Sequence, residues 1–306
     1  MQTEIISPIT LKSNCIKLKT FAVDKLVQSY HADFNIPVEH YFKGIQEIEL
    51  WECKDTGLRF FRPNGLEGDS EFYSRLETFD WYYLPWKWEH EVIQHLIPES
   101  GSLLEIGCAE GAFIEQIQKK GMTVTGLELN EKAADICLKK GFKVKTEFIQ
   151  TYAESNPEAH DWVCSFQVLE HISDVHDFLT ACIKTLKTGG KLALSVPNME
   201  SFLQYDDGGL LNFPPHHQGW WTTSVFKSLE KYYSLKLTYI GTEPVQAIHD
   251  RWFKQNMVKK WYKKNKWFGA LYIRLLKLPI FGNKLIELER QSTKGHTMLA
   301  VFEKLK

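Results

Sequence analysis

The chain has 306 residues, 43% apolar and 25% charged, with a formal net charge of −1. That is long for one small domain and short for two full-sized ones, so one large domain with smaller attachments is expected. The near-neutral charge gives no overall pull toward nucleic acid. The first residues lack the order of a secretory signal, and no apolar run reaches the ~18 residues of a bilayer span, so a cytoplasmic protein is expected.

In chain order, residues 1–85 read as irregular and turn-rich, with strand-like runs at 45–51 and 58–61. From residue 89 helices and strands alternate. A helix ending near 96 precedes an apolar strand at 103–107, and a helix over 112–120 stops at Gly121. A strand at 123–128 leads to Asn130, which can cap a helix over 131–140 ended by Gly141. Strands follow at 142–145 and 161–166. Asp174 can cap a helix whose Phe178, Leu179, Cys182, Ile183 and Leu186 share one face, with Gly189 and Gly190 ending it. A strand at 191–196 is halted by Pro197, and two late strands are expected at 235–240 and 297–302. Residues 246–293, between those two, are basic, aromatic and helical in character. Alternation of this kind predicts an α/β fold: a doubly wound, mostly parallel sheet covered by helices on both faces. Six cysteines, Cys15, Cys53, Cys108, Cys137, Cys164 and Cys182, form no C-x-x-C pair. Four of them fall in or beside expected core elements, as small apolar residues do.

The segment LLEIGCAEG (103–111) puts Glu105 at a strand end and Gly107 and Gly111 in the turn into a helix. Ligands of doubly wound sheets bind beside such turns, and glycine lets the backbone approach closely. Glu128 ends the next strand, where a carboxylate can accept both hydroxyls of a ribose. An ordinary βα turn would look similar, and the pattern alone does not separate a dinucleotide from S-adenosylmethionine. Two details favour the latter. The spacing is E-x-G-x-x-x-G, and Glu110 would sit badly beside a pyrophosphate but is tolerable near a sulfonium and an ammonium group.

The order of segments resembles the class I S-adenosylmethionine-dependent methyltransferases over about residues 93–197. LLEIGCAEG resembles their first motif and VTGLELN their second. DWVCSFQVLEHISD resembles the fourth strand with its loop, and LKTGGKLALSVPN the fifth strand with the turn before it. Ala109 replaces the middle glycine. The resemblance implies a seven-stranded Rossmann-like sheet with a reversed hairpin at one edge, and S-adenosylmethionine as cofactor. It places Glu105, Gly107, Cys108 and Gly111 along the methionine end, Glu128 and Leu129 at ribose and adenine, and Gln167 near the sulfonium. The adenine contact after the third strand falls somewhere in 147–152.

Methyl transfer to a hydroxyl benefits from a base, and histidine suits neutral pH. The candidates are His171, with Glu170 beside it in QVLEH, and His216 and His217 in NFPPHHQGWW. Each could equally be a loop histidine held by packing. Some relatives bind a divalent metal through E-x-x-E-H plus a distant histidine. Here Gln167 replaces the first acid, so a metal is not favoured, although Glu170, His171 and a later histidine could hold one.

WECKDTGLRFFRP resembles the zinc-binding segment ahead of the methyltransferase domain in bacterial sugar-modifying enzymes. Thr56 stands where a second cysteine would be, so the zinc is expected to be lost and the strands kept. The ring-rich run 79–90 fits core packing or a lid. Residues 251–284 interleave lysines with tryptophans, which fits peripheral membrane contact, phosphate binding or a solvated lysine face. The organisation expected is an appendage at 1–85, the α/β domain at 86–245 and 294–306, and an insertion at 246–293. The acceptor expected is a hydroxyl of a sugar, glycan or related small molecule. A lipid or quinone-type O-methyltransferase at the inner membrane face is the alternative, and a catalytically inactive binding module the non-enzyme reading. The sequence fixes no oligomeric state.

Overall fold

The computed structural model describes residues 4–306 apart from Asp80, Tyr83, Asp207 and Gly208. Asp80 and Tyr83 of the ring-rich run therefore lie outside the described residues. The N-terminal region forms β1 (Cys15–Ala22), α1 (Val23–Phe34), β2 (Glu47–Cys53), β3 (Arg59–Arg62) and α2 (Ser70–Leu76). Next come α3 (Trp88–Leu96), β4 (Ser102–Ile106), α4 (Ala112–Lys119), β5 (Thr123–Leu127), α5 (Glu131–Lys139), β6 (Lys143–Lys145) and α6 (Ile149–Ser155). They are followed by β7 (His160–Phe166), α7 (Val175–Thr185) and β8 (Leu186–Pro197). Short β9 (Gly219–Trp220) and α8 (Thr223–Ser228) lead to β10 (Leu235–Thr242). Three consecutive helices, α9 (Asp250–Lys264), α10 (Lys266–Leu276) and α11 (Pro279–Ser292), precede β11 (Thr297–Lys304).

The main sheet has seven strands in the order β10-β11-β8-β7-β4-β5-β6. The five strands from β8 to β6 are parallel, while β11 runs antiparallel to both β8 and β10. This is the reversed edge hairpin that the resemblance implied. Successive side chains enter opposite faces, as a strand dictates. Leu104, Val163, Leu192 and Ala300 pack in one core, and Leu103, Cys164, Ala193 and Leu299 in the other. With both faces covered, the strands read as continuous apolar runs.

Two local departures have physical reasons. Gly189 and Gly190 do not end α7, which stops at Thr185. They lie inside β8, because Leu186 already pairs with His160 and a register irregularity carries the strand through both glycines. A Cβ on Gly190 would stand 2.8 Å from the Lys187 carbonyl, so the bend admits no side chain there. The N-terminal region is also more regular than its sequence suggested. Val23, Leu26 and Tyr30 recur at helical spacing and are buried along α1.

The N-terminal strands join β9 in a second sheet, in the order β1-β2-β3-β9. Residues from three parts of the chain share a further core: Tyr30, Ile48 and Phe72, then Phe202 and Phe213, then Phe253, Met257 and Tyr272. The appendage and the insertion thus pack together over the carboxyl ends of the parallel strands. Among the described residues no helix is long and apolar enough to cross a membrane.

Candidate active site

The carboxyl ends of β4, β5, β7, β8 and β10 and the amino end of β11 lie along one sheet edge. At β4 the chain turns through Gly107 (φ +74°) and Ala109 (φ +47°) to Gly111 (φ +79°), which opens α4. A Cβ on Gly107 would stand 2.6 Å from Val168 Cγ2, and one on Gly111 2.8 Å from the Phe142 ring. Both glycines are therefore required by backbone angle and by space. Ala109 holds a left-handed conformation that costs a non-glycine residue about 1–2 kcal/mol. What holds it is Glu128. One oxygen accepts the Ala109 N–H at 2.8 Å and the other the Asn130 N–H at 2.8 Å.

The edge fits S-adenosylmethionine on two observations. Glu105 is buried with its Oε2 lacking a hydrogen-bond partner among the described residues, and burial pushes its pKa well above the usual carboxylate range. An ammonium group would satisfy such an acceptor. Glu128 is half-buried, and each of its oxygens has a further lone pair for a ribose hydroxyl. Leu129 beside it is exposed and offers an apolar surface. Cys108 contributes backbone to the turn. Its thiol is turned inward, in the space a Cβ on Gly126 would fill.

Gln167, at the end of β7, also has positive φ (+56°). Its amide donates to Glu89 Oε1 at 3.2 Å and approaches Ser195 Oγ at 3.4 Å, and the Ser195 hydroxyl donates to the same Glu89 oxygen at 3.3 Å. Glu89 comes from the first turn of α3 and is buried. Its sequence gave no signal, being one acid in the helical pattern WEHEV.

The three candidate histidines converge. Ring centroids are 4.7 Å apart for His171 and His216, 4.8 Å for His171 and His217, and 4.3 Å for the stacked His216 and His217. A backbone bond from Gln218 N–H to the Glu170 carbonyl ties the two loops together. Their partners fix the tautomers. His171 Nδ1 lies 2.6 Å from the His216 carbonyl, and His216 Nδ1 lies 2.7 Å from the Leu211 carbonyl. A carbonyl only accepts, so both Nδ1 atoms carry the proton. His217 Nδ1 donates likewise to Asn212 Oδ1 at 3.1 Å. His216 Nε2 then accepts the Tyr82 hydroxyl at 2.8 Å. Among the described residues no side chain hydrogen-bonds Nε2 of His171 or His217, although the Gln167 carbonyl lies near the His171 ring and a Glu170 oxygen stands 4.0 Å from its Nε2.

Burial holds all three imidazoles neutral. It lowers the His171 pKa to about 4 and takes His216 and His217 well below the ordinary value. The same burial raises the Glu170 pKa to about 8, and a Glu170 oxygen sits 4.0 Å from His171 Nε2. The three ring-nitrogen sets come within 4.8 Å, close enough to share an ion. His216 has both nitrogens committed, however, and a metal there would have to break the Tyr82 bond. Two free nitrogens are fewer ligands than protein metal sites normally use.

A second polar group continues the edge. Glu243, after β10, is buried and its pKa is raised to about 7 by that burial. It accepts the Thr297 N–H at 3.0 Å and faces His249 Nδ1 at 3.8 Å. The His249 and His296 rings are 4.9 Å apart. None of these stood out in the sequence, because each is a lone polar residue at a strand end. Aromatic side chains pack on both groups: Tyr73 and Tyr82 from the N-terminal region on His171 and His216, and Phe202, whose ring meets Trp252 at 5.3 Å, on His249.

Residues 81–231 match the family described as a methyltransferase domain. The ubiquinone biosynthesis O-methyltransferase of Vibrio atlanticus is 31% identical over 102 residues, covering 31% of this chain and 43% of that protein. That of Vibrio cholerae is 28% identical over 173 residues, covering 51% of this chain and 69% of its own length. The chain thus spans about half to two thirds of the curated relatives it matches. A crystal structure of a SAM-dependent methyltransferase from Archaeoglobus fulgidus is 19% identical, covering 70% of this chain and 94% of that one, with a TM-score of 0.47. A doubly wound sheet by itself serves many chemistries. The matched domain decides among them: residues 81–231 form a methyltransferase domain of the class I S-adenosylmethionine-dependent kind.

Proposed function

We propose that the protein transfers the methyl group of S-adenosylmethionine to a hydroxyl oxygen of a small-molecule or glycan acceptor, with His171 as base. When bound, the cofactor supplies a carbon activated by positively charged sulfur. Glu105 and Glu128 would hold its ammonium and ribose. The observation that carries the reading is buried His171, its Nδ1 held by the His216 carbonyl and its Nε2 without a hydrogen-bonded side chain among the described residues, in a loop whose Val168 packs against Gly107. That nitrogen accepts the hydroxyl proton, and the His216 carbonyl keeps the ring in the productive tautomer. The imidazolium that forms would be stabilised by the Glu170 carboxyl group, whose oxygen stands 4.0 Å from Nε2. Much of the remaining acceleration comes from positioning and from exclusion of water by the aromatic walls. His217 is the second candidate base.

A phenolic or lipid-quinone acceptor is the second reading. The likeness to ubiquinone biosynthesis O-methyltransferases and the aromatic side chains around the histidines support it. The segment 51–63, with its likeness to sugar-modifying enzymes, supports the glycan. Six cysteines without a disulfide among the described residues fit a reducing compartment, and we place the protein on the cytoplasmic side. Methyl-labelled cofactor offered to panels of phenols and of sugar derivatives separates the readings. Label in an O-methyl ether of one panel supports that acceptor class. Label only in amine or carbon products refutes hydroxyl transfer.

A further inference from the structure

Between Arg251 and Ile286 the chain carries ten lysines and arginines and no aspartate or glutamate, within a molecule whose net charge is −1. Three of these cations are paired with acids. Lys254 pairs with Asp250, Lys259 with Asp206 and Lys260 with Glu289. Lys263, Lys266, Arg274, Lys277 and Lys284 are exposed, with no acidic partner among the described residues.

The same hairpin exposes large apolar side chains. Trp267 and Ile280 are each 83% exposed, and Phe281 67%, with Phe268, Leu271 and Leu278 also open to solvent. Trp267, Leu271, Arg274 and Leu278 follow helical spacing along one face of α10 and its end. The opposite face is committed to the protein. Tyr272 is buried and stacks on Trp261 at 5.7 Å, and a Cβ on Gly269 would strike the Tyr262 ring at 2.4 Å. A Cβ on Gly282 would stand 2.6 Å from the Leu276 carbonyl, so the start of α11 lies close against the end of α10. A rigid element thus presents tryptophan, phenylalanine and aliphatic side chains ringed by unpaired cations.

We propose that the α10–α11 hairpin docks the protein on an anionic phospholipid bilayer. Tryptophan and phenylalanine suit the headgroup boundary, and lysines there are drawn to an anionic leaflet. The absence of any acid from this stretch gives the charge complementarity that an aqueous protein partner would not require throughout. The base of the insertion also packs beside the candidate site, since Trp252 and Phe253 of α9 pack on Phe202, which meets His249. Docking would bring that side of the candidate site toward the bilayer. The inference deepens the lipid-quinone reading but stands without it, because docking is measured apart from turnover.

The test is flotation of the full chain with vesicles of phosphatidylcholine alone and of phosphatidylcholine with phosphatidylglycerol. The anionic vesicles should bind at least about tenfold more tightly, and added salt should weaken that binding. The double variant Trp267→Ser with Phe281→Ser, and the triple variant Lys263→Glu, Lys266→Glu, Lys277→Glu, should each lose roughly tenfold or more. Both should keep wild-type cofactor affinity, which shows that the domain is folded. Wild-type protein that stays at the bottom with anionic vesicles overturns the proposal. So does flotation that both variants retain, or a wild-type dimer in sedimentation that Trp267→Ser dissolves, which would make the face a contact between copies.

Discussion

Replacing Glu128 with alanine tests the cofactor site and its local energetics together. The substitution removes two hydrogen bonds to an ionised acceptor, from Ala109 N–H and Asn130 N–H, both at 2.8 Å. Such bonds contribute about 1.5–3 kcal/mol each when well shielded. Glu128 is half-buried, so solvent screening brings the pair down to roughly 2 kcal/mol. In a chain of this size that is a fall of about 4 °C in midpoint. Ala109 loses the contact that holds its left-handed angle, and the turn loosens. The two ribose hydroxyls lose their acceptor as well, which should weaken S-adenosylmethionine binding by roughly 100-fold. Thermal unfolding gives the first quantity and calorimetric titration the second. Glu128→Asp keeps the charge but shortens the reach, and should fall between. A folded Glu128→Ala protein that binds S-adenosylmethionine as tightly as wild type would refute the assignment.

His171→Ala should lower kcat by about 10²–10⁴ while leaving cofactor affinity within about twofold; an equal loss in cofactor affinity would make His171 a packing residue instead. His216→Ala should act through the position of its neighbours, because both of its ring nitrogens are engaged. EDTA should leave turnover unchanged, and restoration by an added divalent ion would reverse the assignment of His216. Stability should peak near neutral pH and fall on acidification. Burial lowers the pKa of His90 and His296 to about 3 and of His160, His171 and His249 to about 4, below the unfolded value near 6.5. A lowered histidine stabilises the fold above about pH 6.5 and loses that contribution toward its folded pKa, roughly 3 kcal/mol for a buried group at about 4. Glu105, Glu170 and Glu243, raised by burial, work in the opposite direction but are fewer. The denaturant midpoint should therefore drop between pH 7 and pH 5, and a flat profile would contradict the burial of the histidine cluster.

Local signals in the sequence carried the α/β domain. The strand at 123–128 is seen as β5, and Asn130 caps α5 by accepting from Lys132 and Ala133 N–H. Glycine spacing and the acid after β5 marked the cofactor turn, because angle and close approach restrict those positions to few residue types. Hidden from the sequence were the features made by distance along the chain. Glu89 meets Gln167 across 78 residues, and Tyr82 meets His216 across 134. Glu243 and His249 are ordinary polar residues until β10 and β11 close the sheet edge around them. The shared core of Tyr30, Phe202 and Phe253 is equally non-local, so the appendage and the insertion looked separate in the sequence. Asp174 illustrates the opposite error. It has the right identity and place for a cap on α7, yet its side chain makes no capping bond.

The most direct test of the central claim follows a labelled methyl group. The purified chain, S-adenosylmethionine labelled in its methyl carbon, and fractionated cell extract are combined, and the product is isolated. The account predicts one labelled product bearing an O-methyl ether, one S-adenosylhomocysteine formed per methyl transferred, and loss of both with His171→Ala. Tight cofactor binding with no transfer into any fraction would contradict it and leave a binding module, and a label on nitrogen or carbon would remove the hydroxyl chemistry assigned to the histidines.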